Sequence, residues 1–364
     1  MEKLAFLARS EEWYDRLGID KIPNLREDGM RSDGLKGTYE WWYFDAEYEN
    51  GIKVVLGFYT KEGVEAAAPP NPTTLLTINM PDGRMIYKRM SEGEGNVIRA
   101  SKDICDVQIR NNTCRFENGV YKVHFDDDGI IYDLAMTPKV PMWRPGTGHW
   151  YFGPEQEKYF AWFVAQPSAA IEAELTLEGK TMKMKGTGYH DHNWGNAPMN
   201  EVFNHWYWCR ACIDDYTIIS CDLVSHEQYG YIRLPVCLFA DGSQIVDDRE
   251  DLVSVERGDT VYHPISGKFM DNILSFTRKI DSNTGYKISY HRTGDLDYKS
   301  LLPPQMPKEQ ADTLISQGIN PTYIRCTGTV SLDFTQSGKS RHLESEAIWE
   351  QMFFGGNKDA IING

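Results

Sequence analysis

Three short segments of the chain place acids, imidazoles and aromatic rings side by side. The first is Tyr39-Glu40-Trp41-Trp42-Tyr43-Phe44-Asp45. On a β-strand alternate side chains share a face, so Glu40, Trp42 and Phe44 point one way and Trp41, Tyr43 and Asp45 the other. Each face then carries a carboxyl beside rings. Held dry, such a carboxyl stays protonated and can act as an acid; at a solvated edge it is only a surface charge. The second is Gly186-Thr187-Gly188-Tyr189-His190-Asp191-His192-Asn193-Trp194-Gly195. As a strand it puts His190, His192 and Trp194 on one face and Tyr189, Asp191 and Asn193 on the other. A His near an Asp and a Trp can move a proton beside an apolar substrate, while the indole face stabilises developing positive charge. Solvated or core histidines are the plain alternative.

His190-x-His192 is also a fragment of metal sites in β-barrels. A cupin-like site would want a Glu a few residues on, but Asn196 and Ala197 stand there and the first Glu is Glu201. No metal and no other cofactor is expected. The third segment is Asn204-His205-Trp206-Tyr207-Trp208-Cys209-Arg210-Ala211-Cys212. Its Cys209-x-x-Cys212 pair lacks a second pair at zinc-ribbon spacing and a βαβ context, so it reads as neither a zinc nor a redox site. Asp222, in the apolar run that follows, needs a partner if buried, and either Arg210 or a substrate could serve. Nucleophilic catalysis has little support. There is no Gly-x-Ser-x-Gly elbow, phosphate-cradling glycine loop or dinucleotide fingerprint.

The elements that must hold these residues are strands. Short apolar or alternating runs are separated by turn dipeptides, clearest at Asn50-Gly51, Asp82-Gly83, Asn118-Gly119, Asp128-Gly129 and Asp241-Gly242. Strands are expected over 39–48, 52–59, 74–80, 120–125, 130–136, 159–165 and 171–177. The pattern restarts with 206–213, 216–224, 229–240, 285–291, 324–334 and 344–352. The chain therefore reads as all-β, in two antiparallel units covering 1–200 and 201–364, with the junction in 195–204 where Gly, Asn and Pro198 interrupt the pattern. Helices are minor: a weakly amphipathic 5–17, and 308–317 between Pro307 and Gly318. Prolines stiffen loops at 69–72 and 301–307.

Composition removes several function classes. The 364 residues carry 38 basic and 53 acidic side chains, a net charge of −15, which is the wrong sign for a nucleic-acid binder that tracks phosphates. Seven Cys without framework spacing suit reduced thiols. No run approaches the roughly 20 apolar residues of a membrane span, and the apolar 4–8 is too short for a signal-peptide core. A soluble, cytoplasmic protein is expected. The unusual count is aromatic: 10 Trp, 20 Tyr and 15 Phe. Five of the Trp fall in the three segments above, which favours a lined pocket over bulk packing.

The pair Glu40-Trp41-Trp42-Tyr43-Phe44-Asp45 and Tyr189-His190-Asp191-His192-Asn193-Trp194-Gly195 resembles the CrtC/AttH-like family. That family includes bacterial carotenoid hydratases and is similar to fungal decalin-forming Diels–Alderases; tocopherol cyclase is a more distant relation. The resemblance implies two lipocalin-like β-barrel domains and cofactor-free chemistry on a hydrophobic small molecule in or beside the first barrel. It also implies catalytic roles for His192 and Trp194 with an acid on a following strand, for which Asp222 is the match here. Glu40 and Trp41 match the family's first motif. The expected catalytic set is thus Glu40, Asp191, His192 and Asp222, with Trp41, Trp42, Tyr43, Tyr189, His190, Trp194, Trp206 and Trp208 binding substrate. Hydration, cyclisation or isomerisation by proton transfer is expected, with a pericyclase on a polyene or a lipocalin-type carrier as alternatives.

Overall fold

The computed structural model describes residues 4–249, 252–302, 306–317 and 319–354. The expected all-β class holds: strands dominate, and they form two large sheets built from antiparallel meanders joined by long-range antiparallel pairs. The chain divides into two compact units. One comprises Leu7–Tyr151 and Gln156–Pro198; the other comprises Met1–Phe6, Phe152–Glu155 and Met199–Gly364.

In the first unit a meander of Tyr39–Tyr48, Lys53–Tyr59, Thr73–Asn79 and Met85–Ser91 continues, through its first strand, into Lys180–Gly195. Lys158–Leu177, Ile130–Pro138, Val120–Asp127 and Asn112–Glu117 follow in that order. The two strands expected over 159–165 and 171–177 are one 20-residue strand, bent by register shifts between Phe163 and Ala169. Its core gathers the alternate residues Trp42, Phe44, Ala46 and Tyr48 with Phe125, Tyr132, Met136, Ile171 and Trp194. The second unit repeats the plan. Its meander of Phe203–Ile213, Tyr216–Ser225, Arg233–Asp241 and Gln244–Asp247 is joined through its first strand to Lys339–Phe353.

Several expected boundaries are corrected. The expected helix over 5–17 is a strand, Ala5–Leu7, followed by a helix, Glu11–Leu17. Backbone bonds from Ala8 N–H to the His149 carbonyl and from Thr147 N–H to the Ala8 carbonyl draw the first residues into a ladder, and Gly18 at φ +63° ends the helix. The strand expected from 229 starts at Arg233, because Glu227–Tyr229 is a 3-10 turn closed by Gly230. The later helix is Lys308–Ser316. Gly318 and 303–305 of the proline loop lie outside the described residues. Met85–Ser91, with Met90 its one buried residue, and Ser254–His263, with Glu256 and Asp259 exposed, lack the apolar alternation that would mark them.

The strand pair that carries both motifs meets at Gly186, opposite Tyr48. A Cβ at Gly186 would lie 2.0 Å from the Glu47 carbonyl oxygen, so only glycine lets the strands close. Gly186→Ala should therefore lower the free energy of unfolding by about 2 kcal/mol. A urea midpoint equal to that of the wild type would show that these strands do not pair in this register.

Candidate functional site

Residues opposite each other in the ladder share a side of the sheet. The pairs Glu40 with Trp194, Trp42 with His192 and Phe44 with His190 put all six side chains on the inner side, within the core. The pairs Trp41 with Asn193, Tyr43 with Asp191 and Asp45 with Tyr189 occupy the outer side. The two motifs thus build two back-to-back constellations.

On the inner side His192 stacks on Trp42, with ring centroids 4.6 Å apart and planes 9° apart, and lies 4.8 Å from the Trp194 ring. Its Nε2 is 2.7 Å from Glu40 Oε1, and its Nδ1 is 3.0 Å from the Glu27 carbonyl oxygen. Glu40 also accepts from the Arg31 N–H at 2.6 Å and from the Ser32 N–H and hydroxyl at 2.7 Å each. Those donors fix the carboxylate in one orientation. His190 stacks on Phe44 at 4.0 Å. Its Nδ1 lies 2.9 Å from the Tyr43 carbonyl oxygen and its Nε2 lies 3.1 Å from Asp28 Oδ2, which also takes the Tyr121 hydroxyl at 2.5 Å. A ring whose nitrogens both face acceptors donates from both, which is the bonding of an imidazolium. Burial works against the His190 charge, but the charge and hydrogen bond of Asp28, helped by Cys105, outweigh it and raise the group to about 10.

Asp28 and the Glu27 carbonyl come from the 3-10 turn Leu25–Asp28. A capping box opens it: Arg26 N–H donates to the Asn24 side chain and Asn24 N–H to the Glu27 carboxylate. Buried Arg144 holds Glu27 at 2.5 Å and also donates to the Gly146 and Asp20 carbonyls. Trp42 Nε1 donates to the Asp28 carbonyl at 2.9 Å. Sequence reasoning missed Glu27, Asp28, Ser32, Tyr121 and Arg144. The spacing Asn24-x-x-Glu27 could have flagged the turn, but nothing in the sequence ties Asp28 to a histidine 162 positions later.

On the outer side Asp191 accepts from Tyr189 hydroxyl at 2.7 Å, Trp162 Nε1 at 2.8 Å and Asn193 Nδ2 at 2.8 Å. Burial pushes its carboxyl up to about 6, moderated by those donors and the His190 charge. Glu40, His190, His192, Trp42 and Trp194 therefore come together, whereas Asp191, Tyr189, Trp41 and Tyr43 stand on the other side of the same strands. Asp222, Trp206 and Trp208 belong to the second unit. There Asp222 is fully buried between Arg257, at 2.6 and 2.8 Å, and Arg233, at 2.5 and 3.2 Å, rather than paired with Arg210. Trp206 Nε1 donates to Glu350 at 3.2 Å, and Trp208 lies opposite Cys221.

Among the described residues, Asp28, Cys105 and His190 bring one donor atom each within 4.8 Å and could in principle hold a metal. The same atoms are already committed: Asp28 Oδ2 serves His190 and Tyr121, and burial keeps the Cys105 thiol protonated by pushing it well above its ordinary range. His190 and His192 direct their Nε2 atoms at different carboxylates, so they do not form the paired ligand set that their spacing allows.

The raised His190 fixes a pH signature. Its contribution is complete below the unfolded-state pKa of about 6.5 and is lost as pH rises through about 10. The stability difference between the wild type and His190→Gln should accordingly shrink between those limits in denaturant titrations. A difference that stays flat over that window would contradict the charged pair.

The Diels-Alderase-like family model matches residues 21–300. The quinolone epoxide rearrangement protein asqO of Emericella nidulans is 25% identical over 207 residues, which cover 53% of this chain and 56% of that protein. The acyclic carotenoid 1,2-hydratase of Rubrivivax gelatinosus is 24% identical over 191 residues, 49% of this chain and 46% of the hydratase. The match thus spans about half the length of these relatives. A crystal structure described as a putative AttH from Nitrosomonas europaea shares the fold, with a TM-score of 0.58, 15% identity and coverage of 92% of this chain and 98% of that one. The resemblance read from the two aromatic motifs is borne out. With a family model that takes in most of the chain and both motifs, the chain belongs to the Diels-Alderase-like family.

Proposed function

We propose that this protein is a cofactor-independent acid–base enzyme that hydrates, cyclises or isomerises a hydrophobic, unsaturated small molecule. His192 is the proton donor, and Glu40 orients it and balances its charge. The observation that carries this reading is the buried Glu40–His192 contact of 2.7 Å, with His192 stacked on Trp42 and beside Trp194. The expected domains 1–200 and 201–364 keep their place in the reading, with the first as the catalytic one.

The chemistry follows from the partners. Both nitrogens of His192 face acceptors, Glu40 and the Glu27 carbonyl, an arrangement that suits the doubly protonated ring as the acting donor. A substrate carbon or oxygen that takes the place of that carbonyl receives the Nδ1 proton, and the carboxylate keeps the ring oriented as it loses charge. The indole faces of Trp42 and Trp194 stabilise the cationic substrate that results. Water or an internal nucleophile then closes the reaction, and His192 recovers its proton. The matched relatives include proteins named for epoxide rearrangement and for hydration of an acyclic carotenoid, both reactions that begin well with protonation. The family description itself favours a second reading, a pericyclase that folds a polyene and needs no proton transfer.

The test uses two probes, a quinolone epoxide and an acyclic carotenoid, with products followed by mass spectrometry. His192→Ala should lower turnover at least about 100-fold, and Glu40→Gln by roughly tenfold, in variants that keep the wild-type circular dichroism. In D2O the hydrated alkene should carry deuterium on carbon. Unchanged turnover in folded His192→Ala sinks the acid–base reading. Carotenoid product without carbon-bound deuterium supports the pericyclase, and a bound but unaltered ligand supports the carrier.

A further inference from the structure

Trp194 has a second imidazole beside it, one that the Glu40–His192 pair does not use. His149 opens the strand His149–Phe152, which pairs with Lys158–Leu177. Trp194 meets its ring edge-on with centroids 5.4 Å apart, and the same indole lies 4.8 Å from His192. Tyr151 runs nearly parallel to the His149 ring at 6.4 Å, and Tyr159 lies 5.7 Å away. Trp13 stacks on Tyr151 at 4.3 Å and extends this wall of rings. The wall is open to solvent: His149 keeps 7% of its surface, and Tyr159 and Trp13 are only half-buried.

The bonding of His149 differs from that of His190, His192 and His205, which have both nitrogens engaged. His149 Nδ1 lies 2.8 Å from the Thr147 carbonyl oxygen, so that nitrogen carries a hydrogen. Among the described residues none is hydrogen-bonded to its Nε2. Burial lowers the ring to about 4; the Thr147 bond opposes that and the Arg144 charge adds to it. A neutral ring with Nδ1–H presents a bare lone pair at Nε2. Such a base is weak, but the proton of an oxonium, or of a carbon beside a cationic centre, is strongly acidic. What the step demands is a nitrogen already free of its proton at neutral pH, close to where the cation is held.

We propose that His149 is the general base that completes the reaction His192 begins, its Nε2 removing a proton from the cation held against Trp194. The assignment rests on the acid–base reading of Glu40 and His192. In hydration, water forms the new C–O bond at the cationic carbon, and His149 takes a proton from the resulting oxonium to leave the alcohol. In isomerisation or cyclisation, His149 takes the proton from the neighbouring carbon, and that C–H electron pair becomes the new C=C bond. One proton enters from His192 and one leaves to His149, so neither oxidant nor reductant is consumed. Exchange with water then restores both rings.

The probe is 5-nitrobenzisoxazole, a flat apolar bicycle that loses a ring C–H proton to a base as its N–O bond breaks, releasing a coloured cyanonitrophenolate. It needs a base and no acid, so its outcome is separate from carotenoid turnover in His192→Ala, and failure of either reading shows on its own. The wild type should convert the probe faster than an equal concentration of free imidazole. Above the buffer background its rate should be flat from about pH 6 to 9, because a group near 4 is already deprotonated there. His149→Phe, which keeps a flat ring, should lower the rate about 100-fold. On the wild type, diethylpyrocarbonate should modify His149, located by peptide mass spectrometry, and abolish the reaction, which decides the matter even if the variant does not fold. A rate no better than that of imidazole, a rate that climbs through about pH 6.5, a rate retained in folded His149→Phe or after modification, or a His149 that the reagent does not reach would each overturn the proposal.

Discussion

Charge balance in a dry interior is the constraint on which the first unit depends. Three acidic side chains, Glu27, Asp28 and Glu40, are buried against three basic ones, Arg144, His190 and His192. Removing one member of such a pair strands the other, at a cost of about 3–5 kcal/mol. The turn Leu25–Asp28 is therefore pinned from several directions. Arg144 holds its Glu27 carboxylate, Asp28 meets His190, and the Glu27 carbonyl meets His192. The aromatic residues pack onto the same imidazoles, Trp42 on His192 and Phe44 on the charged His190, each within 9° of parallel.

The two-residue period of a strand adds a second constraint. A one-residue slip of Lys180–Gly195 against Tyr39–Tyr48 would turn His190 and His192 outward and bring Asp191 in. Glu40 and Asp28 would then lose their imidazole partners at once. The glycines on the second strand bear on this, because Gly186 and Gly188 sit where a Cβ would strike the Glu47 carbonyl or the side chains of Ile171 and Met136. Register, charge pairing and close strand approach thus enforce one another, and the same alternation leaves a histidine–carboxyl side and a ring-lined side on one pair of strands.

Much of this was legible in the sequence, and the part that was not has a physical reason. Alternation told which residues of each motif share a face, and the strand Tyr39–Tyr48 matches its expected bounds. Glu40 with His192, and Trp42 with Trp194, could be grouped because both motifs are dense in unusual residue types. Asp28 and Arg144 stayed hidden, since a short turn and a loop arginine carry no periodic pattern and acquire meaning only when the sheet brings them to the histidines. Asp191 stands apart from Glu40 and His192 because alternation along its strand turns it to the other face, and nearness along the chain does not place residues on one side.

The second unit shows that the shared topology does not by itself decide protonation. In both units the first strand of a four-strand meander pairs with the unit's last strand. At that junction the second unit also buries a histidine, His205, opposite Phe353. Its Nδ1 faces the Asn204 side-chain oxygen at 2.7 Å, but its Nε2 faces Arg257 at 3.0 Å. Arginine can only donate, so Nε2 must accept and the ring is neutral. Burial, then Arg257 and Arg233, push it well below its ordinary range. His190 instead faces a carboxylate and a carbonyl and is charged. Two buried histidines, one on either strand of the corresponding junctions, thus carry opposite protonation because one neighbour donates where the other accepts. Acid chemistry in this fold is written by the partner residues, and in the first unit the decisive ones arrive from the Leu25–Asp28 turn, outside the sheet ladder.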